Sequence, residues 1–276
     1  MNERGIEPKS GAGETEGGSG GALTALAFDT SSSVLATAIV RDGKVLDRCQ
    51  SFTERNHSVR IVPDLQELMR RNGLRSGDID FLAAGQGPGS YTGVRIAVTA
   101  AKTLAWAWGK PLIGVSSLEA AAFGAWQSDG RLREEGRPVW IVPLVDARRG
   151  QVYTARFVAS GGEWRRAEED GIRLLADWLN DLGRAASEAG HEAPAAVVFA
   201  GELAKLEGKW NPEAAFVGGV PFLARPSLLD AGAAGLLAER RFRRGERDEV
   251  HGFVPNYTQL TEAEVKLAKR RAESAT

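Results

Sequence analysis

Cysteine and histidine are scarce in this chain of 276 residues. Cys49 is the single cysteine, which excludes an internal disulfide and a cysteine-rich zinc site and points to a reducing compartment, by default the cytoplasm. The three histidines, His57, His191 and His251, lie far apart in the sequence. No two of them can therefore bind one metal ion from a single face of a helix, and we expect no metal site.

Long apolar runs and a surplus of either charge are also lacking. The longest apolar stretches, such as residues 138–145, fall well short of the ~18 residues that a membrane span requires, so we expect no membrane partner. With 35 Lys and Arg against 36 Asp and Glu, the net charge is −1, and no global positive field draws RNA to the whole surface. Any contact with nucleic acid must be local or made by a partner protein.

The remaining composition, 43% hydrophobic and 26% charged, is that of a globular protein with room for one large domain or two lobes. Residues 1–22 are rich in Gly, Ser and Glu, which predicts a disordered N-terminal extension. We expect a first lobe over residues 23–116. A second, less regular lobe with a C-terminal helix and tail is expected over residues 117–276.

Hydrophobic periodicity predicts the order of elements in both lobes. In the first lobe it predicts three antiparallel strands followed by helix, strand, helix and strand, at residues 23–28, 34–40, 44–52, 58–71, 81–85, 92–108 and 111–115. This order makes a mixed sheet with helices on its faces. In the second it predicts a helix, a polar linker, a hairpin, a helix, a strand and a helix, at residues 117–126, 127–137, 139–145 with 151–159, 174–188, 195–200 and 228–244.

A glycine-rich stretch at residues 85–95 joins a predicted strand to a predicted helix. Such a connection can present backbone N–H groups to a phosphate, as can the turn at residues 29–32, where an acidic residue precedes small hydroxyl residues. The stretch lacks the terminal Lys of a Walker loop, and Ser90 stands where a dinucleotide fingerprint has its third glycine. Judged by spacing alone, both segments are better interpreted as tight turns. No nucleophile is paired with a base, since Ser90 has no histidine partner.

Several segments together resemble the TsaB family, also called YeaZ. They occur in the family's order, at residues 26–32, 57–58, 85–95, 114–119 and 145–150. Residues 255–260 are similar to the family's C-terminal Pro-x-Tyr motif, although Thr258 and Gln259 replace a usual Leu-Arg. The family is the dimerization subunit of the bacterial tRNA threonylcarbamoyladenosine transferase complex.

The resemblance implies an α/β, two-lobed fold of the actin-like, Hsp70-like and sugar-kinase-like (ASKHA) type, each lobe a mixed sheet of β-β-β-α-β-α order. It also implies how the chain differs from TsaD, the catalytic paralogue. TsaD holds its metal through two histidines four residues apart. The matching positions here are Ser117 and Ala121, neither of which supplies an imidazole.

The implied function is that of a non-catalytic scaffold. It binds TsaD and is required for threonylcarbamoyl transfer to adenosine 37 of tRNAs that read codons beginning with A. TsaE is a further partner, tRNA is reached through the complex rather than directly, and the chain pairs with itself when alone. No tightly bound cofactor is expected, with at most weak ATP or ADP at the interface with TsaD.

Two helices form the partner surface in this family. The corresponding candidates here are His57, Ser58, Ile61, Val62, Leu65, Val94, Ile96, Ala97, Ala100 and Leu104. The second helix is apolar over more of its circumference than one sheet face requires, which favours a partner. Burial of this helix between the two lobes of one chain is the alternative.

A vestigial nucleotide contact is a further expectation. Its candidates are Asp29, Thr30, Ser31, Gly87, Gly89, Ser90, Thr92 and Arg95. If these residues were fully functional, the chain would instead be an independent ATP-dependent phosphotransferase of the sugar-kinase type. A metallopeptidase is a third possibility, because relatives were once described as glycoproteases.

Overall fold

Two five-stranded mixed sheets organise the part of the chain that the computed structural model describes, residues 22–52, 56–216 and 219–258. The predicted N-terminal extension lies outside these residues except for Ala22. The elements of the first sheet and its outer helices are β1 Thr24–Asp29, β2 Val34–Arg41, β3 Lys44–Phe52, α1 His57–Arg71, β4 Phe81–Gly85, α2 Tyr91–Trp108 and β5 Leu112–Val115.

The elements after β5 build the second sheet and the layer between the sheets. They are α3 Ser117–Ser128, α4 Gly130–Glu134, β6 Val139–Arg148, β7 Gln151–Ser160, β8 Glu163–Leu174, α5 Leu175–Glu188, β9 Ala196–Gly201, α6 Pro212–Ala215, β10 Phe222–Pro226 and α7 Ala231–Arg243.

The two sheets share one topology. The strand order is β3-β2-β1-β4-β5 in the first sheet, and β8-β7-β6-β9-β10 in the second. In the first, β1 and β2 as well as β2 and β3 are antiparallel, whereas β4 is parallel to both β1 and β5. The second repeats each of these relations with β6, β7, β8, β9 and β10. The predicted two-lobed architecture is therefore confirmed.

Five layers follow from the packing of the helices. The first sheet carries α1 and α2 on its outer face, and the second carries α5 on its outer face. Between the sheets lie α3 and α7, which contact each other. Because both sheets are covered on both faces, β1, β4 and β9 are continuous buried strands.

The middle layer joins the two halves of the sequence. Helix α7, from the second half of the chain, packs on all five strands of the first sheet. Helix α3 packs on β6, β7 and β9 of the second sheet. The predicted lobe boundaries stay a prediction.

Four elements of the second half were not expected from the sequence, namely α4, β8, the four-residue α6 and β10. The expected linker over residues 127–137 contains α4, which begins after Asp129 because that carboxylate accepts a hydrogen bond from the backbone N–H of Arg131 at 3.1 Å. The strands β8 and β10 were not expected. They are the edge strands of the second sheet, and β8 is rich in charged residues that mask the alternation of a strand.

Candidate functional site

Asp29 ends β1 and is fully buried. One carboxylate oxygen, Oδ2, accepts a hydrogen bond from Ser117 Oγ at 2.6 Å, and the other, Oδ1, accepts one from the backbone N–H of Ser31 at 2.7 Å. Burial raises the pKa of this carboxyl above its usual range, while the hydrogen bonds from Ser117 and Ser31 act in the opposite direction. Both oxygens are thus engaged by the protein itself.

The glycine-rich connection lies directly against the turn that follows β1. A Cβ atom on Gly89 would overlap the carbonyl oxygen of Ser31, and one on Gly93 would overlap the carbonyl oxygen of Thr30. The backbone N–H of Ser90 donates to the carbonyl of Ser31 at 2.7 Å. The glycines at these positions therefore serve the close approach of two backbone segments.

Ser117 fastens the same connection from the other side. Its hydroxyl donates to Asp29 and accepts from the backbone N–H of Gly87 at 3.1 Å, and its own N–H donates to the carbonyl of Gly87 at 2.9 Å. Ala121, one turn further along α3, is half-buried and offers only a methyl group. Among the described residues, no group of three or more His, Cys, Asp and Glu side chains is placed to hold a metal ion.

The structure separates the candidate nucleotide contacts into two sets. Six of them come together at this junction, namely Asp29, Thr30, Ser31, Gly87, Gly89 and Ser90. Thr92 and Arg95 lie instead on the exposed side of α2. The Arg95 guanidinium sits 4.8 Å from the centre of the Tyr91 ring. A nucleotide role for either set stays a prediction.

Helices α1 and α2 lie side by side on the outer face of the first sheet. Helix α2 is consequently not enclosed between the sheets, so the alternative of burial between the lobes is wrong. The ten partner candidates occupy three environments: Ile61, Leu65, Val94, Ala97 and His57 are buried, Ile96, Ala100 and Leu104 are half-buried, and Ser58 and Val62 are exposed. Their role in partner binding stays a prediction.

Sequence reasoning omitted two exposed apolar side chains on this face from the candidates. Val59 on α1 is 71% exposed, and Trp106 on α2 is 72% exposed. The signal was available for α1, because Val59 and Val62 are spaced for one helix face that differs from the face of Ile61 and Leu65. We call Val59, Val62 and Trp106 the outer apolar face.

A groove of about 510 Å³ lies between the C-terminal parts of α1 and α2. Its apolar lining comes from Met69 in the last turn of α1, Leu74 after that helix, and Trp108 at the end of α2. Arg70 and Arg75 contribute charge. The outer side of the two helices is therefore neither flat nor uniformly polar.

The β6–β7 turn falls within another segment that carries the family resemblance. Arg148 and Arg149 there have positive φ angles of 67° and 53°. Asp146 accepts a hydrogen bond from the N–H of Arg148 at 3.0 Å, and its other oxygen lies 3.7 Å from Lys209 Nζ. Both arginine side chains are exposed.

A polar contact joins the two sheets near these turns. Ser33 Oγ, in the β1–β2 turn, lies 3.2 Å from both carboxylate oxygens of Glu202, which follows β9. Lys205 also contacts Glu202 and donates to Ser33 Oγ.

None of the helices within the described ranges is long and apolar enough to cross a lipid bilayer.

Comparison with known proteins gives consistent matches. A family model described as TsaD, tRNA N6-adenosine threonylcarbamoyltransferase, matches residues 51–267. The tRNA threonylcarbamoyladenosine biosynthesis protein TsaB of Bacillus subtilis is 35% identical over 249 residues, which cover 88% of this chain and 97% of that protein. The Escherichia coli protein of the same name is 36% identical over 148 residues, covering 53% of this chain and 61% of that protein.

Solved structures extend the match to the fold. YeaZ from Pseudomonas aeruginosa superimposes with a TM-score of 0.66 at 26% identity, covering 85% of this chain and 99% of that one. A ROK hexokinase from Thermus thermophilus gives a TM-score of 0.50 at 16% identity, over 80% of this chain and 100% of that one, and shows the sugar-kinase-like fold alone. Because the match to Bacillus subtilis TsaB extends over most of both proteins, the chain belongs to the TsaB (YeaZ) family.

Proposed function

We propose that this chain is a non-catalytic scaffold that binds TsaD and is required for threonylcarbamoyl transfer to adenosine 37 of tRNAs reading codons that begin with A. The names of its relatives supply the pathway. The observation that carries the scaffold role is the outer apolar face. The complex would also include TsaE, and the same face would pair two copies of the chain when TsaD is absent.

The side chains of the outer apolar face do not take part in the packing of α1 and α2 on the first sheet. The inner sides of α1 and α2 already fill the core with Ile61, Leu65, Val94 and Ala97. Val59 and Trp106 are nevertheless more than two-thirds exposed. Exposure of large apolar side chains to water is unfavourable. A protein partner that covers them removes this apolar surface from water, which favours binding. Tryptophan is also among the residues that contribute most at the centre of interfaces.

The junction at Asp29 supports a role without catalysis. Asp29 and Ser117 are hydrogen-bonded to each other, and the Gly87–Ser90 connection contacts the Thr30–Ser31 turn directly. A phosphotransferase would need these groups to face a phosphate and its metal ion. The independent kinase is therefore less well supported, although weak ATP or ADP at the interface with TsaD is compatible with the proposal. The metallopeptidase finds no support in the side chains of Ser117 and Ala121.

The test is binding of TsaD from the same organism, measured by co-elution and calorimetry. We expect Val62→Asp to weaken binding roughly tenfold or more, because a charge in an apolar interface loses its hydration. Leu174→Asp is the matched control. Leu174 is exposed, lies on the other lobe and occupies the N-cap position of α5, where Asp is favoured. Thermal stability should be unchanged by Val62→Asp, since Val62 is exposed.

Two outcomes would remove the proposal. One is a wild-type chain that does not co-elute with TsaD. The other is an unchanged level of threonylcarbamoyladenosine in tRNA after the chain is deleted from its organism. Tight binding of Mg-ATP by the isolated chain would favour the kinase instead.

A further inference from the structure

The segment after α7 returns along the first sheet towards the glycine-rich connection. Asp248 donates its N–H to the carbonyl of Leu112 at 2.9 Å, and its Oδ2 accepts from the N–H of Gly114 at 2.7 Å, so the segment is fastened to β5. Lys102, on α2, donates to the carbonyl of His251 at 2.7 Å. Phe253 is then buried in the core beneath α1 and α2. The final described residues are thus delivered to one defined place.

Asn256 bonds to both halves of the molecule at that place. Its backbone N–H donates to the carbonyl of Gln86, inside the glycine-rich connection, at 2.7 Å. Its side-chain amide donates to Asp170 Oδ2, on β8 of the second sheet, at 2.9 Å. Asp170 is itself held by Arg166, whose guanidinium lies 2.5 Å from Oδ1 and also bonds to Glu119 on α3. Asn256 therefore links the connection before α2 to an anchored carboxylate.

Tyr257 continues the contact onto α2 itself. Its ring lies 5.7 Å from the ring of Tyr91, centre to centre, with 31° between the planes. Tyr91 is the first residue of α2, and Arg95 covers its ring one turn later. Both tyrosines are about half exposed. The contact is consequently a surface contact that fixes the first turn of α2 without belonging to the core.

We propose that Pro255, Asn256 and Tyr257 form an intramolecular clamp that sets the conformation of the glycine-rich connection and the first turn of α2. The inference rests on the proposed function, because α2 carries part of the outer apolar face. It assigns a task to the C-terminal Pro-x-Tyr motif. With the clamp closed, residues 86–94 are held and α2 presents a fixed surface to TsaD. With the clamp released, these residues open more often and TsaD binds more weakly.

The physical reason for a clamp is the composition of the connection. Gly87 and Gly89 give the backbone wide conformational freedom, so this segment requires contacts from outside to keep one conformation. Asp29, Ser31 and Ser117 supply such contacts from the β1 side. Asn256 and Tyr257 supply them from the opposite end of the chain. Contacts made at the surface open locally more easily than those of the core, which allows the clamp to be released without unfolding.

The experiment is hydrogen exchange of the full chain without partner, comparing the wild type with the double variant Asn256→Ala/Tyr257→Ala. We expect amides of residues 86–94 to exchange about tenfold faster in the variant, with the amides of β1 and β9 unchanged. The single variant Tyr257→Phe, with Asn256 unchanged, should protect these amides as well as the wild type does. The ring contact needs no hydroxyl. Val254→Ala is the matched control, since Val254 lies in the same segment and is 62% exposed.

Affinity for TsaD is the second readout. We expect the double variant to bind several-fold more weakly and Val254→Ala to bind like the wild type. Unchanged exchange at residues 86–94 would overturn the clamp, and so would equal acceleration in β9, which indicates global destabilisation. Faster local exchange with unchanged affinity would overturn its effect on the partner. Since exchange is measured without TsaD, a wild-type chain that fails to bind TsaD removes the proposed function and leaves the clamp to be judged on exchange alone.

Discussion

At the scale of single residues, the most unusual group is the buried carboxyl of Asp29. Burial raises its pKa above the model-peptide value of 3.8. Between that value and the raised folded-state value, the folded chain binds more protons than the unfolded chain. Its contribution to the free energy of unfolding therefore falls as pH rises through this window.

We expect Asp29→Asn to remove this dependence. An amide keeps an oxygen that can accept from the N–H of Ser31 and carries no charge to desolvate. The free energy of unfolding of the variant, relative to the wild type, should rise as pH increases from about 4 towards neutrality. Urea unfolding at several pH values measures it. Asp177→Asn, which removes an exposed carboxylate at the start of α5, is the control, and the same pH profile in both variants would contradict the prediction.

Gly93 tests the close approach of the two backbone segments. In the interior of a helix, alanine is ordinarily about 1 kcal/mol more favourable than glycine. Here a Cβ would overlap the carbonyl oxygen of Thr30, whose own hydroxyl donates to the carbonyl of Gly93 at 2.6 Å. We expect Gly93→Ala to lower the free energy of unfolding by about 1–3 kcal/mol, by the magnitude of overpacking.

The control for Gly93 is Gly77→Ala. No atom lies within 4 Å of a Cβ built on Gly77, so this variant should be nearly neutral. Denaturant unfolding of the two variants side by side measures the difference. Equal stabilities would show that the turn after β1 moves away without cost.

At the scale of elements, the β6–β7 turn stores backbone strain. Arg149 and Gly150 are its central residues, with φ angles of 53° and 74°, and Arg148 and Gln151 pair across it. Positive φ at both central positions is typical of a type I′ turn, which favours Asn-Gly. We expect Arg149→Asn to raise the free energy of unfolding by about 0.5–1 kcal/mol, and Arg149→Val to lower it. Thermal unfolding distinguishes the two, and a stabilising valine would contradict this explanation.

The elements also show how far the sequence could predict this fold. β1, β2, β4 and β5 were recognised because their apolar runs are buried. β3 and the β6–β7 hairpin were recognised because turn residues separate their strands. β8 was missed because its many charged residues hide the alternation of a strand, and it is held at the edge by pairing with β7. β10 was missed because it has only five residues, with pairing to β9 as its support.

The candidate site was predictable to a similar extent. The sequence grouped Asp29 with the glycine-rich connection as candidate contacts, and the structure brings them together because β1 and β4 end side by side in a parallel pair. The partner of Asp29, Ser117, is 88 residues away. Its hydrogen bond depends on the direction in which α3 leaves β5. No local pattern in the sequence reports that direction.

At the scale of the whole molecule, the duplicated topology is covered unequally. The outer face of the first sheet has α1 and α2, of 15 and 18 residues. The second sheet has α5 and the four-residue α6, beside which Trp210, Phe216 and Phe222 pack around Phe199. Helix α1 supplies Val59 and Val62 of the outer apolar face, and the second long helix, α2, adds Trp106. We therefore expect the proposed partner surface on the first lobe.

The middle layer packs against both sheets. Phe123, on α3, is 1% exposed and contacts Trp164 of β8, with ring centres 5.2 Å apart. The Arg240 guanidinium of α7 lies 4.8 Å from the centre of the Phe123 ring. Since α7 packs on the first sheet and β8 belongs to the second, this side chain connects both.

We expect Phe123→Ala to lower the free energy of unfolding by about 3–5 kcal/mol, the usual cost of removing a buried aromatic ring. Because both sheets share the core around Phe123, unfolding should remain a single transition. Native-state hydrogen exchange measures this directly: the most protected amides of β1 and β9 should lose protection by the same factor. Loss of protection in β9 with β1 unaffected would show instead that the lobes unfold independently and that α3 stabilises the second sheet alone.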